Sequence, residues 1–247
     1  MRKAASVARV ILAFLFTVSY CLVMLPVGLV LLPWRAARIR AFGVMSRKLG
    51  SGVIRIAGVT LRVKNEDRLR GSFPAIYVSN HVSAFDVFLG MALCPVGGIG
   101  VMTSGVSRVP GYGLAYQISG HAIVDRSKAR SSVNVLHEVA MLAKENGLGV
   151  WILPEGGRSD DGRLRRFKAG FVQIAIETGL PVVPVVLHGV HRLWSRKRFP
   201  TLAEREIDVE VLPPIDTRQW RNETRREHAA QVQAIFAAAL RDDQRPL

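Results

Sequence analysis

The chain has 247 residues, of which 49% are hydrophobic, and its formal net charge at pH 7 is +15. That length can bury a sizeable core in one domain, and the excess of Lys and Arg predicts an anionic partner. Nucleic acid is not the expected partner, because zinc-finger spacing, an RNP motif and a clear helix-turn-helix are all missing, and the two cysteines exclude a disulfide framework or a cysteine metal site.

The first predicted element is an apolar stretch without a charged side chain, residues 10–34. It is long enough to span a bilayer once, while Pro26 and Gly28 also allow two short helices that dip into one leaflet and return. Cations cluster again over residues 35–48, which favours a cytoplasmic catalytic domain and contact with anionic lipid headgroups. We therefore predict a membrane anchor with basic flanks over residues 1–50 and a catalytic domain over residues 51–247.

Downstream, apolar runs and helical patterns alternate as they do in βαβ units. Strands are predicted over residues 55–63, 75–79, 98–103, 150–153, 181–187 and 207–212. Helices are predicted over residues 131–146 and 223–242 and around Phe171, with Gly147 and Gly179 as stops and Thr224 and Glu227 as a capping box. The pattern predicts an α/β fold with a mixed, mostly parallel sheet flanked by helices.

The most informative segment follows the second predicted strand and carries His81 and, five positions later, Asp86. On a continuous helix these side chains would point about 140° apart, so we expect His81 in a loop and Asp86 in the first helical turn, with Ser83 as the N-cap. Asp86 can then orient the imidazole while the other ring nitrogen takes a proton from a hydroxyl group, as in acyl transfer. In the structural alternative, His81 bonds a loop carbonyl and Asp86 is favoured by the helix dipole.

Three further segments follow in chain order. They are an apolar strand that ends in Arg126 (residues 120–126), the sequence Leu-Pro-Glu-Gly-Gly-Arg-Ser (153–159) and the sequence Val-Val-Pro-Val (182–185). Together with the Asn-His-x-Ser-x-x-Asp block of residues 80–86, they match the blocks of a known family in order and at the usual spacing. The chain resembles the lysophosphatidic acid acyltransferases (1-acyl-glycerol-3-phosphate acyltransferases) over residues 79–187.

The resemblance implies a glycerolipid-acyltransferase-like fold and an O-acyltransferase of phospholipid biosynthesis. Such an enzyme takes an acyl chain from acyl-CoA or acyl-acyl carrier protein, with no bound cofactor and no metal. His81 would be the general base, and Asp86 would orient it. The implied substrate-binding residues are Asn80, Ser83, Arg126, Glu155, Gly156, Gly157, Arg158 and Lys168.

Some of these residues have structural alternatives. Glu155 can pair with Arg158 or another cation instead of binding the acceptor. Arg126 can form a surface ion pair with Asp125, and Lys168 can belong to a solvated basic loop. The loop of residues 155–158 still lies between a strand and a helix, where glycines allow close backbone approach to an anion.

Two departures from the family pattern concern the acceptor. The family often has Lys-x-x-Leu where residues 103–106 read Thr-Ser-Gly-Val, and Gly157 replaces a threonine hydroxyl. We expect 1-acyl-glycerol-3-phosphate as acceptor, with phosphatidic acid as product. The alternatives are another lysolipid, such as lyso-ornithine lipid, and a non-catalytic basic lipid-binding membrane protein. The expected location is the inner membrane of a bacterium, with the catalytic domain on the cytoplasmic side.

Overall fold

The computed structural model describes residues 2–125, 127–194, 202 and 205–246. These residues form a seven-stranded sheet of β1 (Thr60–Lys64), β2 (Ile76–Ser79), β3 (Gly98–Thr103), β4 (Ala122–Val124), β5 (Gly149–Ile152), β6 (Val182–His188) and β7 (Glu206–Val211). The described α-helices are α1 (Arg2–Val30), α2 (Arg35–Ala57), α3 (Asp67–Gly71), α4 (Asp86–Leu93), α5 (Tyr112–Ile118), α6 (Ala129–Asn146), α7 (Gly170–Thr178), α8 (Val190–Leu193) and α9 (Arg225–Ala239).

The strands lie in the order β1-β7-β6-β2-β5-β3-β4. Every neighbouring pair is parallel except β6 and β7, so the predicted mixed, mostly parallel sheet is confirmed. Strands β2 and β5 are neighbours near the centre and are buried on both faces. Their carboxyl ends therefore meet at one edge of the sheet, where open α/β sheets bind ligands.

The two faces of the sheet are covered by different helices. Alternate residues of β2 point to opposite faces, so that Tyr77 packs with α1, α2 and α4 while Ile76 and Val78 pack with α6, α7 and α9. Apolar side chains fill both layers, as Leu89 of α4 does on the first face and Phe171 of α7 on the second. Elements at the carboxyl edge are thus held from both sides.

The N-terminal helix α1 packs against α2 and leaves much of its apolar surface exposed. Of the helices in the described part of the chain, α1 alone is long and apolar enough to cross a membrane. Exposed apolar side chains along it include Ile11, Leu12, Phe14, Leu15, Leu22, Val23, Leu29 and Val30. The Arg9 guanidinium donates a hydrogen bond to the Ala57 carbonyl at the far end of α2, at 3.1 Å. The division into residues 1–50 and 51–247 stays a prediction, and α2 runs across its boundary.

Two predictions of local structure outside the His81 loop are wrong. The strand predicted over residues 55–63 is helical up to Ala57, where Gly58 ends α2 in the left-handed conformation and β1 begins only at Thr60. Residues 53–57 form a short, mostly apolar run such as a strand also shows, but Val53, Ile54 and Ala57 belong to the buried face of the helix. The predicted capping box is also missing, because the Thr224 hydroxyl donates to the Arg221 carbonyl instead of accepting a helix N–H.

Candidate active site

The loop between β2 and α4 brings His81 and Asp86 into contact. The Nδ1 atom of His81 lies 2.9 Å from Oδ2 of Asp86, and the backbone N–H groups of Val82 and Ser83 donate to the same oxygen at 2.7 Å each. Three donors therefore converge on one carboxylate oxygen. Because Nδ1 donates its proton to Asp86, Nε2 of His81 is the nitrogen that can accept a proton.

The positions of the two residues follow the local sequence. As predicted, His81 lies in a loop and Asp86 in the first turn of a helix. The predicted N-cap is wrong, because α4 begins at Asp86 with Phe85 in the cap position, and the Ser83 hydroxyl accepts the Phe85 N–H at 3.1 Å. Here the first-turn carboxylate folds back and binds the N–H groups that precede the helix.

Burial separates the two members of this pair. The Asp86 side chain is 0% exposed, whereas 15% of the His81 side chain is exposed, where it borders a cleft. A carboxylate removed from water needs several hydrogen-bond donors, and Oδ2 of Asp86 has them. The Asp86 carboxylate is therefore held in place, and the His81 ring is accessible from the cleft.

Asn80 and Ser83 are buried and serve the His81 loop. The Asn80 amide accepts the Leu187 N–H at 2.8 Å and donates to the Leu187 carbonyl at 3.0 Å, which ties the loop to β6. The Ser83 hydroxyl donates to the Trp194 carbonyl at 2.7 Å. Both side chains are 0% exposed and bonded to backbone, so they hold the loop in place, and the substrate contact that the resemblance implied stays a prediction.

Glu155 connects the His81 loop with the loop after β5. One carboxyl oxygen accepts the His81 N–H at 2.6 Å, and the other accepts the Arg165 N–H at 2.9 Å. The partners of Glu155 in the structure are therefore backbone groups. The sequence-based alternatives were a substrate hydroxyl and an ion pair with Arg158. Burial raises the pKa of Glu155 to about 8, although the two N–H bonds act in the opposite direction.

The rest of this loop lies beside His81. Gly156 has φ 72°, in the left-handed region that glycine adopts without strain. The Ser159 N–H donates to the His81 carbonyl at 3.3 Å, and the Arg158 side chain lines the same cleft as His81. Gly157, between Gly156 and Arg158 in the chain, is half-buried. The predicted phosphate-binding segment and the predicted base thus meet at one edge of the sheet.

The cleft beside His81 has a volume of about 730 Å³. Its walls come from α1, α4, α5, the end of β3 and the 3-10 helix Ser104–Arg108. Most of them are apolar, including Val10, Phe14, Val18, Phe88, Met102 and Val106. Arg9 and Arg158 supply positive charge.

Of the two remaining predicted residues, one lies in another pocket and the other is not among the described residues. Lys168 lines a separate pocket with Arg165, Arg166 and Arg226. Arg126 lies outside the described residues, which end at Asp125 and resume at 127. Among the described residues, no group of three or more His, Cys, Asp or Glu side chains could hold a metal ion.

Known proteins match both the sequence and this fold. A family model described as Acyltransferase matches residues 60–188. A 1-acyl-sn-glycerol-3-phosphate acyltransferase from Limnanthes douglasii is 34% identical over 217 residues, which cover 88% of this chain and 76% of the relative. The protein of that name from Escherichia coli (strain K12) is 29% identical and matches 66% of this chain and 65% of its own length.

A solved structure has the same fold. The 1-acyl-sn-glycerophosphate (LPA) acyltransferase PlsC from Thermotoga maritima superposes with a TM-score of 0.72 over 94% of each chain. The two sequences are 23% identical, and this likeness shows the fold alone.

Proposed function

The chain belongs to the acyltransferase family, and from that premise we propose that it is a 1-acyl-glycerol-3-phosphate O-acyltransferase. It transfers an acyl chain from a thioester to the free hydroxyl of lysophosphatidic acid and gives phosphatidic acid. The observation that carries the proposal is His81, with Nδ1 held by a buried carboxylate and its ring bordering an apolar cleft. A base beside an apolar cleft suits a substrate that has both a hydroxyl group and a lipid chain.

In the proposed reaction, Nε2 of His81 takes the proton of the acceptor hydroxyl as its oxygen attacks the thioester carbonyl. A carbon–oxygen bond forms, and the carbonyl becomes a tetrahedral oxyanion. When the carbonyl reforms, the carbon–sulfur bond breaks and the departing thiolate takes the proton back from the imidazolium. Asp86 stabilises that imidazolium through Nδ1, and a positioned base of this kind contributes about 10²- to 10⁴-fold in rate.

The acceptor phosphate is proposed to bind at Arg158, with Gly156 and Gly157 allowing close approach of the backbone. Arg158 shares the cleft with His81, so a phosphate bound there would hold the glycerol hydroxyl near the base. A guanidinium can bind phosphate through two parallel hydrogen bonds. Arg126 stays a proposed second phosphate ligand on the strength of its place in the family pattern.

The lipid chains are proposed to lie in the cleft, against α1. A smaller apolar cavity of about 90 Å³, bordered by Met24, Met91 and Tyr112, extends the apolar surface inward. Tyr112 borders both spaces. The acyl donor is acyl-CoA or acyl-acyl carrier protein.

We propose that α1 and α2 act as a helical hairpin embedded in one leaflet. Residues 9–18 of α1 line the active-site cleft, and Arg9 bonds the end of α2, so the first half of α1 lies beside the site and does not project from it. The two short helices that Pro26 and Gly28 allowed do not form, because α1 continues through both residues to Val30. The proposed hairpin instead joins α1 to α2, and it is preferred here to a single span. The membrane is proposed to be the inner membrane of a bacterium, with the catalytic domain on its cytoplasmic side.

The proposal is tested by thiol release from palmitoyl-CoA with detergent-purified protein. Lysophosphatidic acid, other lysophospholipids and lyso-ornithine lipid are compared as acceptors, and palmitoyl-acyl carrier protein is used as a second donor. We expect release with lysophosphatidic acid and the formation of phosphatidic acid. Release with lyso-ornithine lipid and none with lysophosphatidic acid would contradict the proposed acceptor. If no thiol is released with any acceptor and either donor, the proposal that the protein is an acyltransferase is wrong.

A further inference from the structure

We propose that a second pocket, on the other side of Glu155 from His81, binds the phosphate-bearing nucleotide of a coenzyme A donor. This pocket, called the cationic pocket below, is bordered by Arg165, Arg166, Lys168 and Arg226, with Ala229, Ala230 and Gln233. The inference rests on the proposed function and assigns the donor carrier and its binding site.

The cationic pocket is a built concavity. It has a volume of about 580 Å³ and lies between residues 165–169 and one face of α9. The Phe167 N–H donates to the Gln233 side chain at 2.9 Å, and the Lys168 N–H donates to the Pro154 carbonyl at 2.9 Å. The Phe167 ring also packs edge-on against Phe236, with centroids 5.1 Å apart. The segment that carries the cations is therefore fixed to α9 and to the loop after β5.

Among the described residues, the cations of the pocket lack carboxylate partners at salt-bridge distance. In the described part of the chain, Arg165, Arg166, Lys168 and Arg226 form no ion pair with a carboxylate. Other surface arginines do form such pairs, as in Arg62–Glu206 and Arg241–Asp208. Unpaired cations around one concavity attract a ligand with several negative charges.

Glu155 adds little negative charge to the wall of this pocket. Burial raises its pKa to about 8, so the carboxyl group is largely protonated at pH 7. The floor formed by Ala229 and Ala230 on α9 is apolar and suits the face of a base ring. The volume also lies within the range of about 300–1,000 Å³ that is typical of small-ligand sites, while a docked protein would need a broad surface.

The two faces of the sheet suit the two ends of an acyl-CoA. The apolar cleft and the exposed apolar helix α1 lie on one face, and α9 packs on the other. An acyl chain in the cleft would leave its thioester at His81, and the polar carrier would extend past the Glu155 loop to the water-facing side. The donor nucleotide then meets cations that the acceptor phosphate at Arg158 does not use.

The test compares palmitoyl-CoA with S-palmitoyl-pantetheine, which has the same thioester but no nucleotide. In the double variant Arg166→Gln with Arg226→Gln, we expect KM for palmitoyl-CoA to rise about tenfold, and the increase to disappear with the truncated donor. Lys144→Gln is the matched control, because this exposed lysine in the last turn of α6 does not border the pocket. Equal changes in KM for the two donors would overturn the inference.

A binding measurement separates this inference from the proposed function. Adenosine 3′,5′-bisphosphate, titrated calorimetrically into the full chain, should bind the wild type and bind the double variant at least about tenfold more weakly. Equal binding to both proteins overturns the inference even if the enzyme is active. Nucleotide binding that depends on the two arginines, with no thiol release from any donor, contradicts the proposed function and leaves the pocket intact. A double variant impaired only with palmitoyl-acyl carrier protein would make the surface a protein-docking site and the inference wrong.

Discussion

Two of the histidine–carboxylate contacts in this molecule have nearly equal lengths but very different surroundings. Nδ1 of His81 lies 2.9 Å from Asp86, and Nδ1 of His137 lies 2.8 Å from Glu177. The first pair joins a loop to the helix after a central strand. The second joins the exposed faces of α6 and α7.

Burial and additional donors distinguish these pairs. Asp86 is 0% exposed and receives two backbone N–H groups besides His81, whereas Glu177 is 26% exposed and His137 is 61% exposed. Exposed pairs of this kind contribute about 0–1 kcal/mol, because water and salt screen them. A short contact therefore does not identify a catalytic pair. The fixed acid and the adjoining cleft are the features that support the proposed catalytic role of His81 and Asp86.

The largest expected difference follows from removing each histidine. His81→Ala should lower kcat about 10⁴-fold or to background, because the reaction loses its base. His137→Ala should leave kcat within about twofold, since its pair lies on an exposed helical surface. Thiol release with lysophosphatidic acid measures both, and thermal unfolding checks that both variants fold. A His81→Ala enzyme with wild-type kcat would remove the distinction between the pairs.

Changing the acids should give a smaller difference. Asp86→Asn replaces the acceptor for the His81 N–H and allows the wrong tautomer, so we expect kcat to fall about 10²- to 10⁴-fold. KM for lysophosphatidic acid should change little, because the variant disturbs the base and not the phosphate site. Glu177→Gln is the control, with no expected change in kcat. Equal kcat for the two acid variants would show that the buried carboxylate does not serve the base.

The smallest expected effect concerns stability and the carboxyl group behind the His81 loop. Because burial raises the pKa of Glu155 from 4.5 to about 8, the protonated form is favoured in the folded state. Its contribution to stability is complete below pH 4.5 and is lost as the pH rises toward 8. Between these values the free energy of unfolding should therefore fall more for the wild type than for Glu155→Gln, by on the order of a few kcal/mol.

Unfolding in detergent at several pH values measures this difference. Every other titrating group is present in both proteins, so subtraction isolates Glu155. Glu177→Gln, at a half-exposed carboxylate outside the His81 loop, should leave the wild-type slope unchanged. Parallel pH profiles for the wild type and Glu155→Gln would mean that the carboxyl group is ionised throughout.

Much of the fold could be predicted because long apolar strands and helix stops are local signals. The strands near residues 75–79, 98–103 and 181–187 were predicted within one or two residues, and Gly147 and Gly179 do end α6 and α7. The family resemblance seen in four sequence blocks is also confirmed. The end of α2 was misread because a short, mostly apolar run fits both a strand and one face of a helix.

The sequence by itself indicated the candidate base, because a spacing of five positions from His81 to Asp86 restricts where both can lie. The roles of the other site residues depended on tertiary structure. Asn80 bonds Leu187 across 107 positions, and Glu155 bonds His81 across 74. Only the strand order makes β2, β5 and β6 neighbours, and it also places Lys168 in a different pocket from His81. Local pattern fixes which groups are available, whereas long-range packing decides which are buried, which are paired and which meet the cleft.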